Sequence, residues 1–230
     1  MLSYEWDPAT LLCRFPDGDS LAYTYMFGSR EVGPYYNSSR ARRDAYEQPQ
    51  LRVPAAIQLH AAANDGAPPN CVVYNTIIYE LSQLGGKEPA SWDDVSAQDA
   101  LLAMRQHVID LGRVLGQLRE LLPDAVLLLR TTPLAEADSS RRQFRLQAEL
   151  NAAVRLAARA HGVGVLDWEA MTRGQWRGYL RDSLHPNEAH SAAFASLVRG
   201  FCRHAVATKS FGECDKVGHG GSLCKQKVAR

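Results

Sequence analysis

Two ionisable residues three apart, Asp182 and His185, followed by Pro186, are the part of this sequence best suited to do chemistry. An Asp that fixes the tautomer of a His also stabilises the imidazolium once it forms. Such a His can take a proton from an attacking hydroxyl and return it to a leaving group. The same stretch, residues 180–190, also suits an ordinary helix start, because Asp and Ser cap helices and Pro fits the first turn. The two readings part company on whether other reactive groups are brought to the same place.

The surrounding pattern says where that place is. "TLLCRF" and "SLAYTYMF" are apolar and aromatic, with the turn signal "PDGD" between them, and predict a β-hairpin. "VPAAIQLHAAA" predicts a short helix stopped by "NDGAPPN". "CVVYN" then reads as a buried strand ending at Asn75. After "SWDDVSAQDA" comes a long helix. Its stripe runs through Leu101, Met104, Val108, Leu111, Leu115, Leu118 and Leu122, with Asp93 and Asp94 near its positive end. "AVLLLRTTP" and "VGVLDW" are two further strands, separated by a helix over "SSRRQFRLQAELNAAVRLAARAHG". "NEAHSAAFASLVRGFCRHAVA" is the last helix. Alternating strands and helices predict an α/β fold with a mostly parallel sheet covered on both faces, preceded by the hairpin. Residues 1–208 read as one domain, and the Gly- and Lys-rich stretch 209–230 as a disordered tail.

In open parallel sheets, ligands bind at the carboxyl ends of the strands. Asn75 directly follows one strand, Thr131 and Thr132 a second, and Asp167 and Trp168 a third. Asp182 and His185 lie in the next loop, so they should emerge on the edge that carries Asn75. The Asn75 amide could donate to a developing oxyanion there, a contribution typically worth about 3–4 kcal/mol of barrier. Trp168 and Trp176 could line a pocket at this edge or simply pack in the core.

A strand ending in Asn, followed far downstream by Asp-x-x-His-Pro ahead of a C-terminal helix, resembles the SGNH or GDSL hydrolase superfamily. "VVYNTIIYEL" is similar to that superfamily's Asn block in the form seen in its PC-esterase-like branch. "DSLHPN" resembles the block that carries the catalytic Asp and His. The likeness runs from about Cys71 to about Ala207. It implies a three-layer α/β/α sandwich, flavodoxin-like in its layers, and ester chemistry on an O-acyl substrate. Asp182, His185 and Asn75 would take the roles given above.

The nucleophile is the open point. The superfamily presents a Ser in a Gly-Asp-Ser motif after its first strand, and this chain has "GDSL" at residues 18–21, which makes Ser20 the literal match. A nucleophile motif needs an apolar strand running into the Gly and a helix after the Ser, whereas "RFPDGDSLAYTYMF" has the pattern of a hairpin. The superfamily's second Gly block has only Gly28 and Gly33 as counterparts. If Ser20 is not the nucleophile, the chain either lacks an upstream Gly-Asp-Ser strand or keeps the fold without the reaction. The expectation is a serine esterase that forms an acyl-enzyme and needs no metal or organic cofactor. Its substrate would be a small-molecule or glycan ester. An O-acyltransferase on the same fold, and a non-catalytic module that binds a glycan or acylated ligand, are the alternatives.

Bulk composition is consistent with this. The chain has 230 residues, 46% hydrophobic and 22% charged, enough for one sizeable core. A formal net charge of +1 argues against a dedicated nucleic-acid binder. No apolar run approaches the roughly 20 residues that span a bilayer. "MLSYEWDPAT" has neither the basic nor the apolar region of a signal peptide, and nothing else points to a compartment. Five scattered cysteines do not suggest a disulfide framework. Cys214 and Cys224 could pair, or join His219 at a metal, but their spacing fits no common zinc pattern.

Overall fold

The computed structural model describes residues 11–15, 17–23, 49–75, 96–133, 141–172 and 187–208. Asp93, Asp94, Trp176, Asp182, His185, Cys214, Cys224 and the expected tail lie outside the described residues. The hairpin is present. Strand β1 (Leu11–Arg14) pairs antiparallel with β2 (Ser20–Tyr23), with Arg14 opposite Ser20. Gly18, at φ +88°, takes the left-handed conformation that closes the turn, where the Gly18 N–H donates to the Phe15 carbonyl over 3.0 Å.

Helix α1 (Pro49–Ala63) begins earlier than the apolar run suggested, because Pro49 suits its first position. Pro54 lies inside it and has no N–H to offer the Gln50 carbonyl one turn back. That carbonyl instead accepts from Gln117 Nε2 at 2.8 Å, so the proline ties α1 to the next helix. This next helix, α2, spans Ala97–Leu121. It is capped by Ser96, whose Oγ accepts from the Asp99 N–H at 3.1 Å and donates to the Asp99 carboxylate at 2.6 Å.

Strands β3 (Cys71–Tyr74), β4 (Val126–Arg130) and β5 (Gly164–Leu166) form a parallel sheet in that order. Val73 lies opposite Leu128, and Leu129 opposite Val165. Helix α3 (Arg141–His161) joins β4 to β5 and ends at Gly162, whose φ of +61° permits the bond from the Val163 N–H back to the Ala158 carbonyl. A short helix, α4 (Trp168–Thr172), follows β5, and α5 (Glu188–Thr208) is the last described element.

The alternation of β4 divides the core. Leu127 and Leu129 face a large cluster with Leu111, Leu115 and Leu118 of α2, Leu150 and Val154 of α3, and Val53 of α1. Val126 and Leu128 face the opposite way, onto Phe201, Ala205 and Val206 of α5. The sheet is thus covered on both faces, as the three-layer α/β/α reading requires. The stripe drawn along α2 is buried from Leu111 onward, and Val108 packs against the same cluster. At its start Leu101 is 43% exposed and Ala100 is buried instead, and the polar His107 and Asp110 are buried further along.

One covalent link was not expected. Cys71, the first residue of β3, forms a disulfide with Cys202 of α5, with the Cα atoms 5.8 Å apart. No described helix is long and apolar enough to cross a membrane.

Candidate active site at the carboxyl edge of the sheet

Asn75 stands where the sequence pattern puts it, one residue past the end of β3. Its side chain is fixed by the neighbouring strand. Nδ2 donates to the Arg130 carbonyl at 2.7 Å and to Thr132 Oγ1 at 3.1 Å. Both acceptors belong to the carboxyl end of β4 and the residues just after it, so the amide lies across that edge.

Thr132 is itself held from two sides. Asn151 of α3 is fully buried. Its Oδ1 accepts from the Thr132 N–H at 2.8 Å, and its Nδ2 donates to the Thr132 carbonyl at 2.8 Å. This is a side-chain amide mimicking a strand neighbour, and it satisfies the peptide groups that β4 leaves unpaired at its end. The same Nδ2 donates to Glu169 Oε2 at 3.0 Å.

The neighbouring Thr131, also fully buried, binds β5's continuation. Its hydroxyl donates to Asp167 Oδ1 at 2.9 Å and accepts from the Glu169 N–H at 2.9 Å. Arg155 of α3 closes the network, donating to both Asp167 oxygens at 2.8 and 2.9 Å and to Glu169 Oε2 at 2.7 Å. Burial by itself would raise the Asp167 carboxyl. The Arg155 guanidinium, the Ala170 N–H and the Thr131 hydroxyl overcome that and hold it below its ordinary value. Its carboxylates keep Arg155 firmly protonated.

An aromatic pair lies beside this network. Trp168 is buried and meets Phe194 of α5 edge to face, with centroids 4.2 Å apart, and the Arg130 guanidinium sits 5.0 Å from the Phe194 ring centre. Trp168 therefore packs as part of the fold.

Ser20 is placed elsewhere. It opens β2, and its hydroxyl donates to Asn64 Oδ1 at 3.3 Å. Asn64 precedes β3, whereas Asn75 follows it. The turn around Ser20 is clamped on α5. Asp19 pairs with Arg199 Nε and Arg203 Nε at 2.6 Å each, and Asp17 pairs with both arginines. The Arg199 guanidinium also lies 4.2 Å from the Phe15 ring centre. Arg199 and Arg203 flank Cys202, which is bonded to the first residue of β3. The hairpin turn is thus tied to the helix whose Cys202 is bonded to the first residue of β3, and the Ser20 hydroxyl bonds to Asn64, ahead of that strand. Asp182 and His185, expected beside Asn75, fall outside the described residues.

Sequence reasoning missed Asn151, Arg155 and the role of Thr132. A signal was present, since Gln147, Asn151 and Arg155 recur every four residues beside the apolar row of α3. Gln147 serves the same edge, donating to the Pro133 carbonyl at 2.8 Å. Among the described residues, no group of three His, Cys, Asp or Glu side chains is placed to hold a metal ion.

Comparison with known proteins agrees with the fold and with the motifs. No curated protein matches the chain. The model of the GDSL-like lipase/acylhydrolase family matches residues 18–193, a span that opens on Gly18 of the Gly-Asp-Ser-Leu run and reaches past His185 into α5. With the match covering most of its length, and a parallel sheet between helical layers beneath it, the chain belongs to the GDSL-like lipase/acylhydrolase family, hydrolases of the SGNH type.

Proposed function

We propose that the carboxyl edge of the sheet cleaves an O-acyl ester by serine chemistry. A serine hydroxyl attacks the acyl carbonyl while His185 removes its proton and Asp182 steadies the imidazolium. The Asn75 amide donates to the oxyanion of the tetrahedral intermediate. Collapse of that intermediate breaks the bond to the alcohol, which takes the proton from His185 and leaves an acyl-enzyme. Water, activated by the same His, then releases the acid. In a transferase version an acceptor hydroxyl replaces water. The observation that carries this reading is the Asn75 amide, fixed across the strand edge just after β3. Small-molecule and glycan esters both fit this chemistry.

Ser20 is the nucleophile that the Gly-Asp-Ser-Leu run offers. For it to act, its hydroxyl must give up Asn64 and meet the carbonyl that Asn75 holds. The bond to Asn64 supports a second reading, in which the chain binds a glycan or acylated ligand at the same edge without turning it over.

Labelling with a fluorophosphonate probe, followed by peptide mapping, separates the two. The hydrolase reading expects a labelled serine, at Ser20 or elsewhere, and loss of that label in His185→Ala. A folded protein that takes no label would sink the hydrolase reading and leave the binding one.

A further inference from the structure

An oxyanion donor works only if its N–H is already aimed when charge develops. The Asn75 amide has two N–H groups, and the structure gives each an acceptor. The shorter bond, 2.7 Å, goes to the backbone carbonyl of Arg130, which the sheet holds in place. The longer, 3.1 Å, goes to the hydroxyl of Thr132. An anionic oxygen is a far stronger acceptor than a neutral hydroxyl, so it can take over the second N–H, while the first stays anchored. Until then Thr132 keeps the amide from turning about its side-chain bond.

Thr132 is fit for this because its backbone is held on both sides of its side chain. It is 3% exposed, and Asn151 grips its peptide N–H and its carbonyl at 2.8 Å each. Asn151 is in turn fully buried and bonded to Glu169. A mere space-filling residue at the end of β4 would need neither a hydroxyl directed at Asn75 nor an amide clamp behind it.

We propose that Thr132, clamped by Asn151, is a positioning residue that holds the Asn75 amide on line for the oxyanion and yields its N–H to it. The inference rests on the hydrolase reading given above. Thr132→Val keeps the shape and removes the acceptor, so it loses orientation without losing packing. Turnover of p-nitrophenyl acetate should fall in kcat by about tenfold, the size expected for one well-placed hydrogen bond, with KM little changed. Thr132→Ser restores the acceptor and should recover most of the loss.

The test has two arms on the full chain. In the first, the side-chain NH2 signals of Asn75 are followed by ¹H–¹⁵N NMR. Thr132→Val should move them and Thr132→Ser should return them. Signals that stay put in Thr132→Val overturn the inference whatever the turnover.

The second arm is a double-mutant cycle in kcat with Asn75→Ala. If Thr132 acts through Asn75, Thr132→Val costs nothing further once Asn75 is gone. An equal loss in both backgrounds overturns the inference, because Thr132 then acts by another route. If the wild type shows no turnover, or Asn75→Ala keeps wild-type kcat, the oxyanion reading fails and the inference fails with it. Shifted NMR signals would then show that the fault lies in the reading of Asn75 and not in the hydrogen bond.

Discussion

At the scale of single residues, the polar cluster behind the candidate site is held by one guanidinium. Arg155 binds Asp167 bidentately and also reaches the buried Glu169, so its loss would leave two carboxylates short of a cation. Breaking a fully buried pair costs roughly 3–5 kcal/mol. The Arg155 and Asp167 side chains are each about one-third exposed, which discounts the figure, so Arg155→Met should cost about 2 kcal/mol in urea unfolding. The pH dependence has a definite sign. A carboxyl held below its ordinary value stabilises the fold above the unfolded pKa, near about 3.9, and loses that contribution as pH falls through the folded value. Asp167→Asn should therefore be destabilised at neutral pH and show a flatter acid limb than the wild type. A parallel acid limb in the two proteins would contradict the Asp167–Arg155 account. The position of Asn75 was legible in the sequence, because a residue just past a strand end needs only the strand to be recognised. Asn151 was not, because a buried amide inside an amphipathic helix looks like any other polar residue until the strand end it serves is in place.

At the scale of elements, the hairpin shows how a motif and its setting can disagree. The letters Gly-Asp-Ser-Leu match the family's nucleophile run, and the family match opens there. Locally they form a turn and the start of β2, because "PDGD" and the flanking apolar runs favour a hairpin over a strand leading into a helix. Asp17 and Asp19 then serve the turn's attachment to α5. Burial would raise the Asp17 carboxyl, but Arg199 and Arg203 hold it below its ordinary value. Hydrogen bonds from Arg203 and Arg199 do the same for Asp19. Exposed ion pairs are screened by salt. Replacing Arg199 and Arg203 together by Gln should speed amide hydrogen exchange across residues 11–23, and high salt should do the same to the wild type. Exchange that is indifferent to both would mean that the pairs do not hold the hairpin. If Ser20 is the nucleophile, the same double variant should also take the fluorophosphonate label faster, since the turn would be freed from α5. The strands β3, β4 and β5 were read without difficulty because continuous apolar runs of this length have few other uses in a parallel sheet.

At the scale of the whole molecule, the fold and family were readable from strand order and two short motifs, whereas the link that ties the layers together was not. Cys71 and Cys202 are 131 residues apart, and no spacing rule pairs cysteines at that distance; the topology does. Strand β3 leads into Asn75, and α5 follows the Asp182-x-x-His185 run in the sequence, so the disulfide joins the two elements next to the proposed site residues. Closing so long a loop restricts the unfolded chain strongly, by roughly 4–5 kcal/mol in the chain-entropy picture, and measured values commonly fall to about 2–4 kcal/mol. The wild type should therefore unfold at a higher urea midpoint when oxidised than with a thiol reductant present. Cys202→Ser should match the reduced wild type and be indifferent to reductant. Since the bond constrains β3 at its amino end, reduction should weaken the fold more than it changes the hydrogen bonds of Asn75, which β4 supplies independently. Equal midpoints for oxidised and reduced wild type would mean that the bond contributes nothing to stability. A large shift of the Asn75 amide signals on reduction would instead mean that the bond sets the geometry of the carboxyl edge, four residues along β3.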